Sequence, residues 1–152
     1  LGVAAATSVN FGGGALSTYI PWTPYTPTVT STGGGDTVPV YTTNSGRYSR
    51  IGNVVFVEIF LNGDGGAEGS GAGVLNIALP IITSSSLVND TKVNVGVAIN
   101  SGTLYQLIAG FAAGGSTVTL SYWSTVSAAA SFTPTLQNNA TRYIKLQFFY
   151  EV

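Results

Sequence analysis

The residues to weigh first for chemistry are the carboxylates, and the chain has six: Asp36, Glu58, Asp64, Glu68, Asp90 and Glu151. Glycoside hydrolysis needs two of them facing each other across a sugar, one with a raised pKa. Asp36, Asp64 and Glu68 fall in Gly-rich stretches, and nothing in their spacing fixes such a pair. Histidine is absent, which removes the commonest general base near neutral pH and the commonest metal ligand. Cysteine is absent too, so there is no thiolate metal site and no disulfide framework. A Ser-Lys arrangement would have to use Lys92 or Lys145, and both sit within strand-like runs with no serine at a telling spacing. The run Asn62-Gly63-Asp64-Gly65-Gly66-Ala67-Glu68-Gly69 superficially matches a calcium loop. It lacks oxygen ligands at alternate positions and flanking helices, and reads as a flexible hairpin loop. No Gly-rich segment leads into a helix, so no phosphate cradle is expected. The chain therefore reads as non-enzymatic, with no catalytic residue, no metal and no cofactor.

Composition bounds the partners. Charged residues make up 7% of the chain, against a usual share of about 25%, and the net charge is −1. A monomer normally stays dissolved behind a mixed charged surface, so Ser, Thr, Asn and Gly, together with neighbouring chains, are expected to cover this exterior. The five Lys and Arg are dispersed, which leaves no basic stripe for nucleic acid. The most apolar stretches, Val54–Leu61 and Val74–Ile82, are shorter than the roughly 20 residues of a helical span, so no membrane insertion is expected. Leu1–Val9 lacks the basic region and the length of a signal peptide. Methionine is missing even at position 1, and the chain reads as a processed product or a portion of something longer. With 45% hydrophobic residues and a mean hydropathy of +0.35, burial can offset chain entropy.

The elements that would position any site are β-strands. Val93, Val95, Val97 and Ile99 alternate with polar or small residues, as do Val118, Leu120 and Tyr122, which is the pattern of strands with one wet face. Further strands are expected at Val38–Thr42, Val74–Leu79, Leu104–Phe111 and Arg142–Tyr150. Turn residues separate them at Asn44-Ser45-Gly46, Asn62–Gly66, Asn100-Ser101-Gly102 and Gly114-Gly115-Ser116, and Asn100–Thr103 is a strong hairpin signal. No helix is expected. Evenly spaced short strands predict an all-β fold, an antiparallel β-sandwich or jelly roll. Residues 1–24 read as a Gly/Pro-rich extended arm, in which Gly12-Gly13-Gly14 and the three prolines of Tyr19–Pro27 exclude helix and central strand. Residues 25–152 read as the sandwich domain.

Two strands are apolar on both faces. Val54–Leu61 carries Val54, Phe56, Glu58 and Phe60 on one side and Val55, Val57, Ile59 and Leu61 on the other. Arg142–Tyr150 carries Ile144, Leu146, Phe148 and Tyr150 opposite Tyr143, Lys145, Gln147 and Phe149. Something must cover the second face. A partner subunit is the simplest cover, and a loop or the arm is the alternative. Glu58, set among apolar residues, needs a cation, for which Arg47, Arg50, Arg142 and Lys145 are at hand.

Two segments carry a family resemblance. The first is Asn10-Phe11-Gly12-Gly13-Gly14-Ala15-Leu16-Ser17-Thr18-Tyr19, followed by Trp22-Thr23-Pro24. The second is Ser45-Gly46-Arg47-Tyr48-Ser49-Arg50-Ile51-Gly52-Asn53-Val54-Val55-Phe56-Val57, followed by Leu75–Pro80. This order resembles the distal domain of tailed-bacteriophage tail fibres, or receptor-binding proteins, over roughly the first 80 residues. Thr18-Tyr19-Ile20-Pro21 departs from the Glu-Gly-Thr that usually precedes Trp-Thr-Pro there. On its own terms the second segment reads as a turn at Ser45-Gly46, a short strand from Tyr48, and a reversal at Gly52-Asn53.

The resemblance implies a homotrimeric virion structural protein in a tail fibre, extracellular, joined to other tail or fibre proteins and attaching to a bacterial surface glycan or protein. A capsid or neck decoration protein, and a carbohydrate-binding or glycan-degrading module, are the alternatives. Binding is expected from the loops Gly63–Gly73, Ser84–Asp90 and Ser124–Thr133. The candidate ligand-binding residues are Asp64, Glu68, Trp123, Asn138 and Asn139. Trp123 has the ring to stack on a sugar, with core or interface packing as its plainer role. Asn138 and Asn139 are turn residues first.

Overall fold

The computed structural model describes residues 8–11, 14–17, 21–87, 91–125 and 128–152. A hairpin of β1 (Ser8–Phe11) and β2 (Gly14–Ser17) stands as a two-stranded sheet of its own. All other strands belong to one ten-stranded antiparallel sheet: β3 (Thr23–Tyr25), β4 (Val29–Ser31), β5 (Thr43–Ile51), β6 (Val54–Asn62), β7 (Leu75–Ala78), β8 (Thr91–Asn100), β9 (Thr103–Phe111), β10 (Thr117–Thr125), β11 (Ala128–Ser131) and β12 (Arg142–Glu151). One 3₁₀ turn, Pro134–Gln137, is the helical structure among the described residues. The all-β, antiparallel expectation holds.

The strand order is β3-β5-β6-β12-β8-β9-β10-β7-β4, with β11 beside β10. The two ends of this order are consecutive in the chain. β3 pairs with β5, β4 pairs with β7, and Thr26-Pro27-Thr28 alone separates them. Four Cα–Cα steps from Tyr25 to Val29 reach about 15 Å at most. The sheet therefore curls until its edges nearly meet, and its concave face becomes the core. The strands fit that shape by alternation: Val55, Val57, Ile59 and Leu61 of β6 point inward, and Ile144, Leu146, Phe148 and Tyr150 of β12 join them. Leu107, Ala109 and Phe111 of β9 and Val118 and Leu120 of β10 close the core from the other half.

Local chemistry sets the turns. In the β8–β9 hairpin Asn100 pairs with Thr103, and Ser101 (φ 50°) and Gly102 (φ 83°) both take left-handed backbone, the two-residue turn whose twist suits antiparallel strands. β8 itself departs from strict alternation. Its register with β9 shifts between Asn94 and Gly96, so Val95 is an extra, bulged residue. Val95 and Ala98 are buried, while Val97 and Ile99 lie half-buried on the opposite face, so the expected single row of Val93, Val95, Val97 and Ile99 is split. Gly96 makes the bulge possible: its φ is 152°, and a side chain there would strike the carbonyl oxygen of Lys145 in β12.

Three other expectations are corrected. Ser45-Gly46 is not a turn; it lies inside β5, where the absent side chain at Gly46 makes room for the Tyr25 ring. Val38–Thr42 forms no ladder, because Pro39 has no N–H to give; the run is held by a bridge between Thr37 and Ser70 and by the Val40 N–H on the Ala67 carbonyl at 2.9 Å. The Ser124–Thr133 loop contains a strand, β11, which adds to the edge of β10. Leu1–Thr7, Gly12-Gly13, Tyr19-Ile20 and Asp90 lie outside the described residues.

Candidate binding surfaces

The expected loop residues gather at one end of the sheet. β6 ends at Asn62, opposite Tyr143 near the start of β12, so the Gly63–Gly73 loop leaves the sheet where β12 begins. Asp64 and Glu68 are exposed on that loop. Asn138 is exposed beside it and accepts from Asn100 Nδ2 at 3.0 Å. Asn139 is half-buried and caps its own turn, accepting from the Thr141 N–H at 3.1 Å. Trp123, near the β11 end of β10, is 46% exposed, so it is not a core residue.

Arg142 holds this end together. Its side chain is fully buried, yet its partners are backbone oxygens: Nη1 donates to Asn139 at 2.5 Å, and Nη2 donates to Val40 at 2.8 Å and Ala67 at 2.6 Å. The cation also lies 5.9 Å from the Tyr41 ring centroid. The Tyr41 hydroxyl in turn donates to Gln137 Oε1 at 3.4 Å, and Gln137 is itself fully buried. One guanidinium thus ties three loops and leaves their tips free to present Asp64, Glu68 and Asn138 on a fixed base.

Asp36 has no such freedom. Ser31 Oγ donates to its carboxylate, and so does the Gly73 N–H at 3.0 Å. It closes the loop before β7 onto the loop after β4, which gives it a structural role. Among the described residues no group of three or more His, Cys, Asp or Glu is placed to hold a metal.

The second surface is the convex face of β5, β6 and β12, which register stacks into rows. Arg47, Glu58 and Gln147 form one row; Ser49, Phe56 and Phe149 the next; Ser45, Phe60 and Lys145 a third. Glu58 has its cation within the same chain. Arg47 reaches Glu58 Oε2 from Nη2 at 2.5 Å and from Nε at 2.6 Å, and Gln147 Nε2 donates to the other oxygen at 3.1 Å. The pair is not buried, since the side chains are 56% and 30% exposed. Around it stand exposed aromatics: Phe56 and Phe149 with ring centroids 6.0 Å apart, Phe60 facing Tyr143 at 6.4 Å, and Trp22 with the Arg47 guanidinium 4.8 Å over its ring. Phe56 is 38%, Phe60 41% and Phe149 66% exposed. These rings leave the convex face of β5, β6 and β12 with exposed apolar side chains.

Sequence reasoning found this face through the two-sided pattern of Val54–Leu61 and Arg142–Tyr150. It missed Arg142 as an anchor, because an arginine at the start of a strand gives no sign of burial. It also missed the pairing of Trp22 with Arg47, which depends on β3 docking beside β5. Comparison of the chain with family models, with curated proteins and with solved structures finds no match.

Proposed function

We propose that this chain is a non-enzymatic structural and attachment module of a tailed-phage fibre, working as a homotrimer on the virion and binding a bacterial surface glycan or protein. The observation that carries the reading is the convex face of β5, β6 and β12, where Phe56, Phe60 and Phe149 lie exposed around a self-neutralised Arg47–Glu58 pair. A chain with 7% charged residues gains by burying such a face against copies of itself. The loops around Asp64, Glu68 and Asn138 then repeat about the assembly, and several weak contacts add up to firm attachment. The fibre assignment draws on the resemblance in Ser45–Val57.

Light scattering on the whole chain tests the reading. The expected mass is three times 15.6 kDa, falling to that of one chain in Phe149→Asp with the β-sheet circular dichroism retained. A single-chain mass for the unaltered protein would overturn it.

A further inference from the structure

The convex face of β5, β6 and β12 carries charge at Arg47, Glu58, Lys145 and Glu151. Register sets Lys145 opposite Phe60 and Glu151 opposite Val54, on the side of β12 away from the core residues Ile144, Leu146, Phe148 and Tyr150. Both are exposed. Arg47 and Glu58 neutralise each other, whereas Lys145 and Glu151 form no ion pair with a described residue. They cannot reach one another either, since the six-residue step between them spans about 20 Å of strand. The face is thus left with one free charge of each sign, on either side of exposed Phe149. Other described charges do not supply the missing partners from within the face. Arg142 is buried on backbone carbonyls, Arg50 lies opposite the core residue Val55 and so on the other side of the sheet, and Asp36 is held by Ser31 and Gly73.

In water these two charges are hydrated and carry no penalty. Covered by another protein surface, an amine or a carboxylate without a partner would oppose the contact strongly. An apolar cover satisfies neither of them. A second copy of the same face carries the complement of each.

We infer that Lys145 of one copy pairs with Glu151 of the next across the convex face, head to tail. The inference rests on the self-association proposed above and gives it a register. A contact between two different ends of one face is heterologous, and repeated at a third of a turn it closes into a ring of three. Every Lys145 and Glu151 in the ring then has a partner, and Phe149, which lies between them on β12, is carried into the contact. A shift along the strands would set each charge against an aromatic ring, so the pairs select one alignment among the apolar contacts the face could make.

Charge exchange in the full chain tests the pair. Light scattering over a dilution series gives the concentration of half-assembly, and circular dichroism checks the β-sheet. Lys145→Glu and Glu151→Lys are each expected to raise that concentration by about tenfold or more, because each sets like charges together. The two exchanges combined in one chain should bring it back to within about threefold of the parent, because the opposed signs are restored. The two single variants mixed should stay impaired, since a ring of three built from them always keeps one like-charged contact. Single variants that assemble like the parent, or a combined variant no better than the singles, would overturn the pairing and leave the self-association reading standing. Full recovery in the mixture would overturn the head-to-tail arrangement. If a reversal loses the β-sheet signal, Lys145→Gln and Glu151→Gln take its place: each should weaken assembly and the two together should weaken it no further, whereas losses that add would overturn the pairing. A parent mass of one or two chains would overturn both readings.

Discussion

Arg142 donates to the Ala67 carbonyl oxygen at 2.6 Å from a position without solvent exposure. Among the described residues no carboxylate lies within ion-pair distance of it. Backbone carbonyls and the Tyr41 ring face share the charge. A planar fork of donors suits three carbonyls that approach from different loops, which an ammonium on a flexible stem does not.

Arg142→Ala is therefore expected to destabilise the fold by about 3 kcal/mol or more, since hydrogen bonds to a charged group are worth about 1.5–3 kcal/mol each and those to the Asn139, Val40 and Ala67 carbonyls are all lost. Arg142→Lys is expected to recover less than half of that loss. Urea unfolding measures both, and early proteolytic cleavage within Gly63–Gly73 should accompany them. A variant as stable as the parent would show that the loops hold without the guanidinium.

Adjacent residues of β12 are expected to separate folding from the proposed assembly. Phe148 is in the core and Phe149 is on the convex face. Phe148→Asp is expected to abolish the folded state, because it places an unpaired charge among Phe111 and Tyr150. Phe149→Asp should unfold at nearly the parent urea concentration when both are measured as single chains. Circular dichroism and light scattering on the pair distinguish the outcomes, and equal loss of structure in both would mean that the convex face is part of the monomer's core.

Gly96→Ala is expected to cost about 1–3 kcal/mol, as an added methyl must push the Lys145 carbonyl away or close the bulge. Gly102→Ala, where a side chain meets open space and the backbone φ is 83°, should cost about 1 kcal/mol from backbone strain alone. Urea midpoints give the order, and the reverse order would show that the bulge relaxes freely.

Alkaline pH should unfold the protein through its tyrosines. Burial raises the phenol of Tyr150, the Ile81 N–H at 3.3 Å pulls it part of the way back, and Tyr48 adds to the rise, leaving it pushed up to about 12. Burial also raises Tyr25, helped by Tyr150, and raises Tyr41 against the opposing charge of Arg142. A folded pKa above the unfolded value of about 10 means that the folded state holds its protons more tightly. The stability from these groups is complete below about pH 10 and is lost as pH climbs through the folded values. Urea midpoints should be flat to about pH 9 and fall by about pH 11, with tyrosinate absorbance rising in step with unfolding. Tyr150→Phe should make the fall shallower.

The Arg47–Glu58 pair, for all its short distances, is exposed. Glu58→Gln is expected to change stability by about 1 kcal/mol or less, with the difference vanishing in high salt. A larger loss in the assembled protein than in the single chain would place the pair inside the subunit contact.

The strands were legible where one residue's neighbours in sequence decide its face. In β10 alternation alone assigns Val118 and Leu120 to the core, whereas β6, apolar on both faces, was legible as a strand but not for which of its faces turns inward. The β8–β9 hairpin read correctly because Ser101-Gly102 carries its own turn geometry. β8 was legible as a strand, but its single row of valines was not its true face, because the bulge at Val95 depends on Gly96 lying against the Lys145 carbonyl, a neighbour supplied by another strand. Gly46 was misread for the same reason: its lack of a side chain serves Tyr25 rather than a turn.

Composition and period two settled that this chain is an antiparallel β-protein with more apolar strand surface than one core can take in. Folding decided which glycines turn the chain and which make room, that Glu58 finds Arg47 on the outside, and that Arg142 goes inside. Those outcomes depend on contacts between residues far apart in sequence, and a local pattern carries no record of its distant partner.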